Sequence, residues 1–296
     1  MEDILKTVLE EVPKSPDFIV ILLNIMRTVE DPKSRSAKMA EEISRDKDLS
    51  QSMLYIVNSP LYNFETKISS LEHAVTLMGT NAILRIAIAT WLRRYQEREL
   101  KGYGYSVRGL PLQALIGGFI AKDIASHHWT RDFEDLAFSA SIARNIGKVA
   151  LDFYVQINIQ KIMEIVYKGK PFDVAEREIL GTNHTELGYN VAKKWSFPEE
   201  LCSPIRYLHH PSSAVNTDEK LMKLTFIVHI SDVVTMLSGV SSGKDVLLYA
   251  FDRKTLSVLN ISDSDVEGYI VKARKMAPIV EKYFFEDIIK KERPQT

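Results

Sequence analysis

One cysteine, Cys202, is all the thiol chemistry this chain of 296 residues offers. An internal disulfide is impossible, and a cysteine-based zinc site would lack ligands. A catalytic thiol needs an activating neighbour, and none stands near Cys202 in sequence, so it reads as a small residue on a helix. An excess of one charge is missing too. Lys plus Arg number 38 and Asp plus Glu 39, a formal net charge of −1. Nonspecific nucleic-acid binding rests on phosphate neutralisation, so this balance argues against it. Long uncharged apolar runs are absent, and the opening MEDILKTVLEEVPKSPD is charged. Neither a leader nor a membrane span is expected, and the expected location is cytoplasmic. Gly102-Tyr103-Gly104 lacks the preceding strand that a dinucleotide loop needs. No Walker loop or serine nucleophile elbow occurs, and no strand alternation, solenoid period or low-complexity stretch stands out.

Helical periodicity is what the chain has instead. Phe18, Ile21, Leu22, Ile25, Met26 and Val29 form one apolar stripe behind Asp17. A short helix is expected over 36–44. Asp46 should cap the next, turning Leu49, Met53, Ile56 and Val57 inward. Ser69-x-x-Glu72 reads as a capping box before a helix stopped by Gly79. Residues 81–92 (NAILRIAIATWL) are apolar on nearly all sides, so this helix should be buried. KGYGYSVRGLP at 101–111 has three glycines and a proline and marks the expected boundary between subdomains, 1–105 and 106–296.

Beyond it, Pro111 should open a helix to about His128. Its Gly117-Gly118 pair costs helix propensity, which points to close helix approach. Residues 137–154 should form one helix, followed by another near 158–167. Asp173-x-x-Glu176 reads as a capping box. Helices are then expected over 182–195, 198–209 and 218–237, and from Ser262-x-x-Asp265 onward. The fold class is all-α.

The chemistry-bearing residues are histidines and carboxylates. His184 lies early in a helix, and His209-His210-Pro211 closes another. His229 and Asp232 stand three apart, on one helix face. Bundles build metal and phosphate sites from such ligands on facing helices. Taken singly, each reads as a cap partner or surface residue, since a helix C-terminus favours a cation.

Several blocks together resemble a known family. Val12-Pro13-Lys14-Ser15-Pro16, Ile43-Ser44-Arg45-Asp46-Lys47-Asp48-Leu49, Val57-Asn58-Ser59 and residues 68–79 (ISSLEHAVTLMG) come first. Residues 177–188 (REILGTNHTELG), Trp195-Ser196-Phe197-Pro198 and residues 205–211 (IRYLHHP) follow in the same order. Over roughly 10–235 the chain resembles the HDOD domain, the HD-related output domain of bacterial signalling proteins. The likeness implies an N-terminal helical bundle and a C-terminal subdomain related to HD phosphohydrolases. In those enzymes an upstream His, a His-Asp doublet and a later Asp hold the metal. Here the doublet's place is taken by Arg144-Asn145, ahead of Ile146-Gly147-Lys148. The upstream position falls near Leu112 or Gln113, and Asp232 matches the last ligand. A guanidinium has no lone pair for a metal, and a neutral amide is a poor ligand for a hard cation.

The resemblance therefore implies a non-catalytic signalling or scaffold domain with no cofactor or metal. It would act through bacterial signalling proteins, without nucleic acid, with homo-oligomerisation left open. Two alternatives stand beside it. One is a divergent metal-dependent phosphohydrolase. The other is a nucleotide or small-ligand sensor using the altered cleft, whose residues would be Arg144, Asn145, Lys148, His184, His209, His210 and Asp232.

Overall fold

The structure is a computed structural model that describes residues 4–12, 35–58, 64, 66–80, 82, 83, 86, 87, 90, 98–127, 131–214, 218–240, 243–282 and 285. Among these residues the fold is all-α, as expected. The one pairing of extended backbone is an isolated bridge between Leu100 and Tyr105. Contacts gather the chain into two units, Ser15–Tyr95 with Pro278–Thr296 and Met1–Lys14 with Gln96–Ala277.

The smaller unit contains α2 (Arg35–Ser44), α3 (Lys47–Val57) and α4 (Leu71–Met78). Asp46 accepts from the Leu49 N–H at 2.9 Å and caps α3, whose Leu49, Met53, Ile56 and Val57 are buried. The cap of α4 is Ser70, one residue past the expected Ser69. Its hydroxyl accepts from the His73 N–H at 3.1 Å, which leaves Glu72 in the first turn with no reciprocal cap to make. Gly79 ends α4 with φ +83°. The helix expected at 17–29 lies outside the described residues. Of 81–92, Ala82, Ile83, Ile86, Ala87 and Thr90 are described, and all five are buried.

The larger unit holds α1 (Ile4–Glu11), α5 (Gly109–Ser126), α6 (Arg131–Ala143), α7 (Ile146–Tyr167), α8 (Phe172–Leu180) and α9 (His184–Lys194). It continues with α10 (Glu199–Arg206), a 3₁₀ turn (Pro211–Ala214), α11 (Glu219–Ser238), α12 (Lys254–Leu259) and α13 (Asp263–Glu281), of which the part up to Ala277 belongs here. The turn at 98–105, expected at the edge of the first subdomain, is anchored in this unit. Asp152 of α7 accepts from the N–H groups of Gly102 at 2.9 Å and Tyr103 at 3.3 Å, and Tyr103 and Tyr105 are buried.

Two expectations about helices change. Residues 137–154 are not one helix. The chain breaks at Arg144-Asn145, where α6 ends on an Arg144 N–H to Ser141 O bond of 3.4 Å and α7 restarts behind Asn145. From there α7 runs without interruption through 158–167. Pro171 rather than Asp173 occupies the N-cap of α8, and Glu176 turns to other partners described below. The reciprocal box at Ser262 and Asp265 does form, with bonds of 2.9 and 3.2 Å.

One segment qualifies the expectation about membranes. By length and composition α11 is long and apolar enough to span one, yet most of it is buried inside the unit.

Helix approach is set by glycine where backbones meet. A Cβ on Gly147 of α7 would lie 2.6 Å from the Gly188 nitrogen of α9, 2.8 Å from the Gly188 Cα and closer still to the His184 carbonyl. These are backbone atoms and cannot swing aside, so Gly147 places α9, and His184 with it, against the start of α7. Gly147→Ala raises helix propensity by up to ~1 kcal/mol, yet overpacking should dominate. We expect a net loss of about 1–2 kcal/mol in urea denaturation. Unchanged or increased stability would mean that the two helices do not cross backbone to backbone.

Candidate functional site

The corner between α6 and α7 directs Arg144 into the core, where its side chain is fully buried. Its Nε donates to Asp232 Oδ1 of α11 at 2.6 Å. Nη1 donates to the Ser141 carbonyl at 2.6 Å and lies 3.3 Å from the Ser141 hydroxyl. Nη2 donates to the Gln113 carbonyl of α5 at 3.1 Å and to the Thr235 hydroxyl at 3.2 Å. Room for the guanidinium comes from Gly117. A Cβ there would lie 2.5 Å from Nη1 and 2.8 Å from Cζ. The glycine expected to permit helix approach thus accommodates a side chain. Asn145 Nδ2 approaches the same Asp232 oxygen at 3.5 Å. Burial works to raise the Asp232 pKa, but the charges of Arg144 and Lys148 and the Arg144 hydrogen bond hold it below the usual carboxylate value.

Lys148, in the first turn of α7, forms a second buried pair. Its Nζ lies 2.6 Å from Asp245 Oδ2, and the Tyr249 hydroxyl donates to that oxygen at 2.6 Å. The ammonium also sits 5.0 Å from the Tyr249 ring centroid and 5.6 Å from those of Tyr103 and Tyr105, within cation–π range. Tyr105 links the two pairs, its hydroxyl 3.4 Å from Gln113 Oε1.

The histidines form a third group. His184 Nδ1 lies 2.6 Å from Glu176 Oε2, which also accepts from the His184 N–H at 3.1 Å. Tyr103 donates its hydroxyl to Glu176 Oε1 at 2.5 Å. Across from this, His184 Nε2 and His209 Nε2 face each other at 3.0 Å. With His184 Nδ1–H donating to the carboxylate, the simplest neutral arrangement has His209 Nε2–H donating to His184. The His209 ring stacks flat on Tyr249, 3.8 Å apart with a 2° tilt. Burial, reinforced by His184, pushes the His209 pKa well below its ordinary value.

Of the seven candidate residues, Arg144, Asn145 and Asp232 therefore meet directly. Lys148 and the pair His184 and His209 join them through tyrosines. His210 does not join. It is exposed and bonds Asp173 Oδ2 at 2.9 Å. His229, three residues before Asp232, pairs elsewhere: Nδ1 with the Leu208 carbonyl at 2.7 Å and Nε2 with the Asp252 N–H at 3.3 Å. Sequence reading missed Glu176, Asp245, Tyr249 and the inward roles of Tyr103 and Tyr105. Glu176 was masked by a capping pattern, and Asp245 and Tyr249 lie in a segment without helical periodicity. The local signal for the latter is the four-residue spacing of an acid and a tyrosine, which alone is uninformative.

The family model for the HDOD domain matches residues 13–211. The chain belongs to the HDOD domain family. An HDOD domain protein with unknown function from Geobacter sulfurreducens superposes with a TM-score of 0.70 at 22% identity, covering 96% of this chain and 98% of that one. A candidate phosphohydrolase from Shewanella amazonensis SB2B gives 0.66 at 19%, covering 96% and 97%. A candidate signal transduction protein from Marinobacter aquaeolei VT8 gives 0.70 at 16%, covering 97% and 62%. At these identities the likeness speaks to the HDOD fold alone. An uncharacterized protein of Treponema pallidum (strain Nichols) is 22% identical over 203 residues, 68% of this chain. The match spans 38% of that relative's length.

The His210–Asp173 contact gives a pH dependence. The Asp173 hydrogen bond raises the His210 pKa, and in return His210 and the neighbouring histidines outweigh burial and bring Asp173 down to about 2. A raised His pKa stabilises fully below the unfolded value, ~6.5, and the gain fades as pH rises through the folded value. A lowered Asp pKa stabilises above ~3.9 and the gain fades as pH falls toward the folded value. The stability difference between the native chain and His210→Asn should peak between pH ~4 and ~6.5 and shrink above it. Because His210 is half exposed, its size should stay below ~1 kcal/mol. Denaturation across pH checks this; a difference flat with pH would contradict the pairing.

Proposed function

We propose that this HDOD domain is non-catalytic and works in bacterial signal transduction through contacts with signalling proteins. One observation carries the reading: the Arg144 guanidinium, buried and hydrogen-bonded on every side, holds Asp232. By family likeness, Arg144-Asn145 stands where HD phosphohydrolases keep their metal-binding doublet and Asp232 where they keep the last ligand.

The residues present do not fit a divalent ion held in that way. The Asp232 oxygen nearest the corner is taken by a cation. His184 and His209 direct their Nε2 atoms at each other. Among the described residues no three His, Cys, Asp or Glu side chains converge as a metal set. The sensor alternative, a nucleotide phosphate drawn by Arg144 and Lys148, meets a related difficulty. Both cations are buried and already paired with carboxylates, so an anion would have to displace a bonded partner. The fold likeness to a candidate signal transduction protein is in keeping with a signalling role, and that to a candidate phosphohydrolase keeps the hydrolase alternative worth testing.

Protein purified without an affinity tag should carry no stoichiometric transition metal by elemental analysis. With added Mn²⁺ it should not hydrolyse a cyclic dinucleotide or a generic phosphodiester. Stoichiometric metal together with hydrolysis would overturn the proposal.

A further inference from the structure

A cavity of about 330 Å³ lies beside the buried polar network, between α11, the 247–251 segment, α12 and the start of α13. It shares His209 and Tyr249 with that network. The walls are largely apolar, and four of the lining groups are flat rings in two stacked pairs. His209 lies on Tyr249 at 3.8 Å, and His229 on Phe251 at 5.7 Å with a 13° tilt.

We propose that this cavity is a binding site for a small, uncharged, two-ring aromatic molecule. Size decides the ring count. An apolar cavity of ~150 Å³ holds one benzene, and this one is about twice as large. Four rings among the lining residues favour a planar occupant, set edge-on or offset-stacked against them. Charge decides neutrality. Both ring nitrogens of His229 are occupied, the one carboxylate of the lining, Asp263, is exposed at the start of α13, and no lysine or arginine lines the cavity to hold an anion. Burial keeps His209 and His229 in their neutral forms, as their lowered pKa values indicate.

The cavity opens to solvent between apolar side chains. Leu247, Leu237 and Phe251 line it and are 57%, 40% and 40% exposed. Leu247 also holds a left-handed backbone, φ +61°, a conformation costly for a residue with a Cβ and one that clusters at functional sites. The occupant would touch the ring of His209, whose edge bonds His184, and that of Tyr249, whose hydroxyl bonds Asp245. It would therefore contact the end of the network that ties α7, α8 and α9 together. This inference stands independently of the absence of catalysis proposed above.

Indole is the probe. Calorimetric titration into the full chain should give saturable binding with a Kd below about 1 mM, a modest demand on nine heavy atoms. Ala250→Trp, which fills the cavity from the 247–251 segment, should weaken binding at least ~10-fold. Val233→Phe fills it from α11 and should do the same, so the test survives if one variant misfolds. Indole-3-acetate, the same rings with a carboxylate, should bind at least ~10-fold more weakly than indole. No binding at the solubility limit would overturn the proposal. So would folded variants that bind as well as the native chain, or equal binding of the anion.

Discussion

The ion pair between Arg144 and Asp232 is the contact on which the larger unit is arranged. Neither group can reach water, so each depends on the other and on the hydrogen bonds around it. Arg144 draws on α5 through the Gln113 carbonyl, on α6 through Ser141, and on α11 through Asp232 and Thr235. The corner between α6 and α7 exists at the residue that must point inward. Gly117 is small where the guanidinium lies. A buried pair is not a net source of stability by default, because desolvation offsets the Coulombic gain. Its effect is on specificity: any arrangement that separates the partners strands a charge in the core.

From this pair the polar interior continues in steps. Tyr105 connects Gln113 to the Lys148 and Asp245 pair, Tyr103 connects that region to Glu176, and Glu176 holds His184 against His209. Tyrosine suits these joints because its ring packs in a core while its hydroxyl reaches a carboxylate. The segment at 243–252, irregular in backbone, is held over the network by side chains: Asp245 on Lys148, Tyr249 on His209, and Asp252 on the Ser212 N–H at 3.1 Å.

Much of the fold was legible in sequence because helix signals are local. Asp46 and Asp218, at expected helix starts, accept the first-turn N–H bonds of their helices, and Gly79 ends its own as expected. The break at Arg144-Asn145 was not legible, since apolar periodicity runs through it and the cause is a partner 88 residues away. Glu176 shows the same limit. Its spacing from Asp173 suits a cap, but tertiary partners claim it. The candidate site was half legible: motif likeness located Arg144, Asn145, Lys148, His184, His209 and Asp232, whereas Asp245, Tyr249 and the tyrosines at 103 and 105 are joined to them only by folding.

The central claim, that Arg144 and Asp232 form one structural unit in the core, is tested most directly by a double-mutant cycle. Stability is measured for the native chain, Arg144→Met, Asp232→Leu and the double variant. Each single change should cost about 3–5 kcal/mol by leaving a buried charge unpaired, and the double should cost far less than the sum. Additive losses, or single variants as stable as the native chain, would contradict the account.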